Sequence, residues 1–329
     1  MLQSFGSFFS IMEKKDLRIV YMGTPDFAVA PLKALVEGAF NVVAVVTMPD
    51  KPAGRGMKMQ ASPVKIYAQE QQIPVLQPEK LKDEAFLDEL RGFKADLQIV
   101  VAFRMLPVVV WDMPPMGTFN LHASLLPQYR GAAPIHWAVM NGETETGVST
   151  FFLQHEIDTG DLLLQEKIAI GPDDTTGIIH DKLMDLGAEV VCLTVDALLA
   201  GTVHPIPQPA GAVKLAPKLF KENTRIDWTW GSAKLHDFIR GLSPFPAAWT
   251  EMVGKEGSVT GVKVFEAKAE LAAHELKPGT LVVEGKNMLK VAVGDGFVYL
   301  LRFQLAGRKA LNSAEFLRGF PEINDFWLQ

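Results

Sequence analysis

Hydrophobic positions along this chain follow two periods, one of short continuous apolar runs and one of helical spacing, and the two take turns. Leu17–Met22 is a short β-rich run that stops at Gly23-Thr24-Pro25. Apolar residues then recur at helical spacing from Phe27 to Glu37, before Gly38. Asn41–Thr47 is Val-rich and almost wholly apolar, the pattern of a strand buried on both faces. Strand, helix and strand in such a span make a βαβ unit, which predicts an α/β fold with a Rossmann-like parallel sheet. Residues 64–72 and 79–92 read as helices and Leu97–Phe103 as the next buried strand. A helix is expected over Ala133–Met140, with Pro134 in its first turn, and strands over Thr146–Leu153 and Leu162–Ile170. Thr175–Leu199 reads as one long amphipathic helix.

The pattern changes at His204–Pro217, where prolines crowd a segment of low hydrophobicity. Beyond it a helix around Ala233–Arg240 precedes short β-rich runs near 258–265, 280–284, 288–292 and 297–304, separated by Gly-containing turns. Such runs predict a small C-terminal β-barrel of the oligonucleotide-binding (OB-like) type. The expected organisation is therefore an N-terminal α/β domain over 12–206, a Pro-rich linker over 207–216 and a β-barrel domain over 217–329. Residues 1–11 lack the basic start and long apolar core of a signal peptide, and read as an extension ahead of Met12-Glu13-Lys14-Lys15. No apolar run approaches the roughly 18 residues of a membrane span.

Composition narrows the class. With 48% hydrophobic and 21% charged residues in 329, the chain reads as a soluble two-domain protein. Its net charge of −6 argues against a general nucleic-acid binder, but the balance is uneven. Residues 1–207 carry 16 basic and 25 acidic side chains, whereas 208–329 carry 16 and 13. That asymmetry leaves room for local phosphate contact in the second half. Cys192 is the single cysteine, which rules out an internal disulfide and fits a reducing cytoplasm.

Candidate chemistry centres on Asn120-Leu121-His122. In an extended segment, residues at i and i+2 share a face, so Asn120 and His122 can reach one small ligand. A carboxamide donates to a developing oxyanion, and an imidazole moves a proton near neutral pH. Asp158, in Ile157-Asp158-Thr159-Gly160-Asp161, is the candidate to orient the imidazole or relay its proton. No Ser or Cys nucleophile stands in a known motif, which favours direct transfer between two bound substrates. Gly23 has no Gly-x-Gly-x-x-Gly around it and there is no Walker-type Gly-Lys-Ser/Thr, so nucleotide binding has little support. His155-Glu156 is followed by Thr159 where a zinc motif needs its second His, and no metal is expected. The stretch Met48–Lys58 is rich in Gly and Pro and reads as an exposed mobile loop, with four basic and no acidic residues over Lys51–Lys65.

Taken together, Asn120-Leu121-His122, Ser124-Leu125-Leu126-Pro127, Tyr129-Arg130-Gly131 and Asp158-Thr159-Gly160-Asp161 resemble the signature of the 10-formyltetrahydrofolate-dependent formyltransferases. Gly23-Thr24-Pro25-Asp26-Phe27 resembles that family's opening turn. In the second half Ala216-Pro217-Lys218, Ile226-Asp227-Trp228, Gly294-Asp295-Gly296 and Gln304–Lys309 resemble the branch whose acceptor is methionyl initiator tRNA. The resemblance implies transfer of a formyl group from 10-formyltetrahydrofolate to the methionine α-amino group, with Asn120, His122 and Asp158 as catalytic residues and no metal. It places the folate against Phe103, Arg104 and Met105 and against Ser124, Leu125, Leu126 and Pro127. It assigns tRNA contact to Lys51, Arg55 and Lys58, in a cytoplasmic enzyme expected to be a monomer. Two departures stand out: Phe103-Arg104 replaces a frequent Tyr-Gly, and Glu156-Ile157 replaces a frequent Gly-Leu. The same signature admits other acceptors, an amino sugar nucleotide or glycinamide ribonucleotide, and water as in a formyltetrahydrofolate hydrolase. An RNA-binding protein that has lost catalysis is the rival from another class.

Overall fold

Strands apolar on both faces are satisfied only where neither face meets water, and the first strand shows how completely this is met. In the computed structural model, which describes residues 13–53, 58–320 and 323–329, Ile19, Val20, Tyr21 and Met22 have no solvent exposure. The extension read over residues 1–11 lies outside the described residues. Strands β1 (Arg18–Gly23), β2 (Asn41–Val46), β5 (Val75–Leu76), β6 (Leu97–Val101) and β7 (Thr118–His122) pair in parallel in the order β5-β2-β1-β6-β7. Two further strands, β8 (Glu145–Phe152) and β9 (Leu162–Ala169), complete the sheet beyond β7. Between β2 and β5 a small hairpin pairs β3 (Lys51–Ala53) with β4 (Lys58–Gln60).

The sheet departs from the all-parallel expectation at one place. Strand β8 runs antiparallel to β7 and sets Phe151 opposite Asn120 and Ser149 opposite His122. The order also reverses direction between β1 and β6, so the carboxyl ends of β1, β6 and β7 open on one edge. In open α/β sheets that crevice is where ligands bind.

Helix α1 (Val29–Glu37) buries Pro31, Leu32 and Leu35. Helix α2 (Pro63–Glu70) begins where the Ser62 hydroxyl accepts from the Lys65 amide. Helix α3 (Glu84–Gly92) starts later than its apolar pattern suggested, because the Asp83 carboxylate caps the Phe86 amide. A short turn of helix, α4 (Val108–Trp111), follows β6. Val20, Met22, Ala44, Val46, Phe86, Leu90, Val100 and Val110 share one core. Helix α5 (Pro134–Met140) starts at Pro134 as expected, and α6 is Thr176–Leu199. On α6, Gly187 lets the helix lie against β7, since a Cβ there would stand 2.8 Å from the Leu121 side chain.

The chain divides into two compact units. The first comprises the described residues up to Arg130 together with Gly147–Ile168 and His180–Lys214, and the second Gly131–Thr146, Ala169–Ile179 and Leu215–Gln329. In the second unit a curled antiparallel sheet is built from β10 (Ala248–Gly254), β11 (Val259–Leu271), β12 (Leu281–Glu284), β13 (Met288–Val293), β14 (Gly296–Leu305) and β16 (Phe326–Leu328), with β15 (Leu311–Asn312) beside β14. Its path runs β12-β13-β14-β11-β10-β16, and a bridge between Thr280 and Trp327 draws the two ends together. The core holds Leu235, Phe238, Ile239 and Leu242 on and just beyond α7 (Ser232–Gly241), packed with Val264, Val291, Val298 and Phe303. Strands β10 and β16 and helix α8 (Ser313–Arg318) had no counterpart among the sequence expectations.

Candidate active site

Asn120 and His122 project from one face at the carboxyl end of β7, as their i, i+2 spacing requires. Their environments differ. Asn120 is half-buried, and its side-chain amide has no hydrogen-bond partner among the described residues. His122 is only 7% exposed, and its Nε2–H donates to the carbonyl oxygen of Tyr129 at 2.9 Å. That bond sets the tautomer: with Nε2 carrying the proton, Nδ1 is the atom left to accept one. Nδ1 faces the Asp158 carboxylate with 3.9 Å to Oδ2, too long for a hydrogen bond but within ion-pair reach once the ring is charged. Sequence spacing offered Asp158 as the group that orients the ring. The structure adds the Tyr129 carbonyl, a main-chain acceptor that leaves no trace in a side-chain motif.

Two turns bracket the imidazole, and each holds a residue in the left-handed region: Tyr129 at φ +62° and Asp158 at φ +56°. Non-glycine residues adopt that region at a cost and only where surrounding contacts impose it. In the Asp158 turn Thr159 Oγ1 donates to the Glu156 carbonyl at 3.0 Å. Gly160 is held against β8, where a Cβ would lie 1.6 Å from the Phe152 carbonyl oxygen, so no side chain fits. The Gln208 amide then donates to the carbonyls of Asp158 and Gly160, both at 2.9 Å.

Residues expected to line a folate pocket separate into exposed and committed groups. Arg104 sends its guanidinium to the carbonyls of Pro78 and Glu79, and partial burial pulls its pKa down. Phe103 packs on the apolar core beside β6, with the Arg104 guanidinium 5.7 Å from its ring centre, while Met105 is 72% exposed. Ser124 is fully buried and its hydroxyl donates to the Gln128 carbonyl at 2.7 Å. Leu126 is buried with Phe151 and Leu162, and its amide donates to Ser149 Oγ at 3.1 Å. Leu125 and Pro127 keep partial exposure. The Ser124–Pro127 turn is thus a stapled wall whose accessible side chains alternate along it.

The basic stretch after β2 is more ordered at its base than its composition implies. Lys51 stands exposed on β3, opposite Gln60 of β4. Lys58 pairs with Ala53 through the backbone, and Arg55 lies outside the described residues.

A formyl transferase family model matches residues 17–195, and a formyl transferase C-terminal domain model matches residues 218–321. The methionyl-tRNA formyltransferase of Bacteroides fragilis is 63% identical over 313 residues, covering 94% of this chain and 97% of the relative. That of Parabacteroides distasonis is 56% identical over 321 residues, covering 96% and 99%. Among solved structures, HypX from Aquifex aeolicus in complex with tetrahydrofolic acid superposes with a TM-score of 0.61 at 20% identity, over 93% of this chain and 47% of that one. The sugar 3N-formyl transferase WlaRD gives 0.62 at 17% identity, over 89% and 99%. At such identities the structural likeness speaks for the fold.

Proposed function

The chain belongs to the formyl transferase family, and we propose that it moves a formyl group from 10-formyltetrahydrofolate to the α-amino group of methionyl initiator tRNA, as a cytoplasmic monomer. The observation that carries this reading is likeness at 56–63% identity, over nearly the full length, to enzymes named for that acceptor. Membership of the formyl transferase family supports a folate-type donor. No helix among the described residues is long and apolar enough to cross a membrane.

The residues present suit such a donor and acceptor. A half-exposed turn at Phe103–Met105 and the Leu125 and Pro127 side chains offer apolar surface for a planar ring at the sheet's carboxyl edge. The unpartnered Asn120 amide is free to donate to the formyl oxygen as the amine attacks the carbon, where charge develops. His122 Nδ1 takes a proton from the attacking amine while Asp158 opposite stabilises the charged ring; as the tetrahedral intermediate collapses, the bond from the formyl carbon to N10 breaks and that proton passes to N10 of the departing tetrahydrofolate. With Nε2–H already held by Tyr129, the imidazole keeps one orientation through the reaction. Lys51 on β3, Lys58 on β4 and Arg55, between them in the sequence, are assigned to the tRNA backbone. An amino sugar nucleotide acceptor has support only from structures below 25% identity, which speak for the fold alone.

The test is transfer of labelled formyl from 10-formyltetrahydrofolate to methionyl initiator tRNA, beside a dTDP-linked amino sugar and glycinamide ribonucleotide, at two salt concentrations. Label on the tRNA that declines with salt supports the reading. Label only on a small acceptor overturns it, and label on neither removes the transferase assignment.

A further inference from the structure

Prolines mark 204–217 as a connector, yet within the first unit its residues are tied to both turns that flank His122. Ile206 and Leu162 exchange backbone hydrogen bonds at 2.8 and 2.9 Å, which lays the segment beside the Asp158 turn. Lys214 accepts the Tyr129 amide at 2.6 Å and donates to Gln128 Oε1 at 2.8 Å. Between these ties sits Gln208, half-buried, with both ends of its amide used. Nε2 donates to the carbonyls of Asp158 and Gly160, both at 2.9 Å. Oε1 accepts from Arg130 Nε at 3.1 Å and Nη2 at 2.6 Å. The partners fix the orientation, because a flipped amide would aim donors at a guanidinium and an acceptor at two carbonyls.

These contacts close a ring. From His122 the path runs through the Tyr129 carbonyl, along the chain to Arg130, across to Gln208, onto the Asp158 backbone and back through the Asp158 carboxylate to Nδ1. Both strained residues, Tyr129 and Asp158, lie on it, and each is held at its backbone by the 206–214 segment. We propose that Gln208 is a positioning residue for formyl transfer, a strap that keeps the Asp158 turn and the Tyr129-Arg130 turn at a set spacing on either side of His122. It touches no substrate and acts through the pair it spaces. The chemistry demands glutamine: glutamate would keep the contact with Arg130 but press a carboxylate on two carbonyls, and alanine would release both turns. The proposal rests on the reading of His122 and Asp158 as catalytic.

The experiment compares full-length Gln208→Ala, Gln208→Glu, Arg130→Met and the Gln208→Ala/Arg130→Met pair in transfer to methionyl initiator tRNA, with His122→Asn as control. A small displacement of catalytic groups costs on the order of 10²-fold, so kcat in Gln208→Ala is expected to fall by about that factor. KM for tRNA and for folate should stay within about twofold, because neither substrate loses a contact. Gln208→Glu should be no better than Gln208→Ala, and the pair no worse than the poorer single variant, since one strap is cut in each case. The imidazole ¹⁵N resonances of His122 should move in each Gln208 and Arg130 variant, a signature that general destabilisation does not produce. A Gln208→Ala enzyme with kcat within twofold of the parent, or losses that multiply in the pair, overturns the proposal. If Gln208→Ala does not fold, Arg130→Met alone carries the test, as it leaves both carbonyl contacts intact. A fully active His122→Asn would sink the catalytic reading instead, and the ¹⁵N shifts would still report on the ring.

Discussion

The Lys65 ammonium donates to the Asp50 carboxylate at 2.7 Å, and the other oxygen of Asp50 takes the Gln77 amide at 2.8 Å. Asp50 immediately precedes the β3–β4 hairpin, Lys65 lies on α2 and Gln77 follows β5, so one carboxylate ties the base of the basic stretch to two fixed elements. The exit of the hairpin is held as well, by the 2.8 Å contact between the Thr47 and Ser62 hydroxyls. The Lys65 and Gln77 hydrogen bonds hold the Asp50 carboxyl below its ordinary range. A depressed carboxyl contributes its stability above about pH 4 and loses it as the pH falls through the folded-state value, so the tie is complete at neutral pH. Asp50→Asn is expected to raise KM for tRNA several-fold and leave kcat and the folate KM unchanged. Steady-state kinetics with each substrate varied decides it, and an unchanged tRNA KM refutes the tie's role in acceptor binding.

Among the described residues the Asn120 side-chain amide has no partner to lose, so its replacement isolates its role toward substrate. Asn120→Ala should lower kcat by about 10²–10³-fold, the usual cost of removing an oxyanion donor. Its melting temperature should match the parent's within error. A rate within a few-fold of the parent removes Asn120 from the mechanism.

His122 differs because it also supports the fold. His122→Ala should reduce transfer by about 10²–10⁴-fold and take the imidazole donor away from the buried Tyr129 carbonyl. Loss of such a hydrogen bond costs about 0.5–1.5 kcal/mol, and each kcal/mol lowers the melting point by about 2–4 °C at this domain size. Scanning calorimetry beside the kinetic assay reads both effects, and loss of activity with no loss of stability would contradict the Tyr129 contact.

Gly160→Ala places a methyl group inside the Phe152 carbonyl's contact distance, and backbone rather than a pliable side chain must yield. The Asp158 turn is expected to shift off β8. Activity should fall more steeply than folate affinity, as measured by kcat against equilibrium binding of tetrahydrofolate. Equal losses in both would mean the turn serves binding as much as catalysis.

In the second unit His236 lies 3.4 Å from Asp173, with Asp237 and Arg240 also close, and burial first, then Arg240, lowers its pKa below 6.5. A histidine depressed in the folded state favours folding above about pH 6.5 and weakens it as acid charges the ring. Between pH 7.5 and 5.5 the parent's melting temperature should therefore drop further than that of His236→Gln. Parallel melting curves for the two proteins would argue that another group sets the acid limit.

How far the chain announces all this varies by element. Strands β1, β2 and β6 and helix α1 were legible because burial on both faces, or on one helical stripe, leaves a periodic record in the residues themselves. The extended placement of Asn120 and His122 was legible for the same reason, since a period of two is local geometry. Strand β10 was hidden because Ala248–Gly254 mixes Trp, Thr and Glu, and only its neighbours β11 and β16 make it a strand. The antiparallel run of β8 was equally hidden, since strand direction is a property of the sheet and not of the strand.

Residue types and local periods therefore specified the kinds of element, the carboxamide and imidazole on one face, and the class of chemistry they suit. What holds that chemistry in place was decided by folding: a carbonyl at Tyr129, a closed approach at Gly160 and a glutamine in a proline-rich connector. Each is a contact between segments distant in the chain and made largely through main-chain atoms, which every residue carries alike, so no sequence pattern marks which carbonyl will meet His122 or which amide will strap its turns.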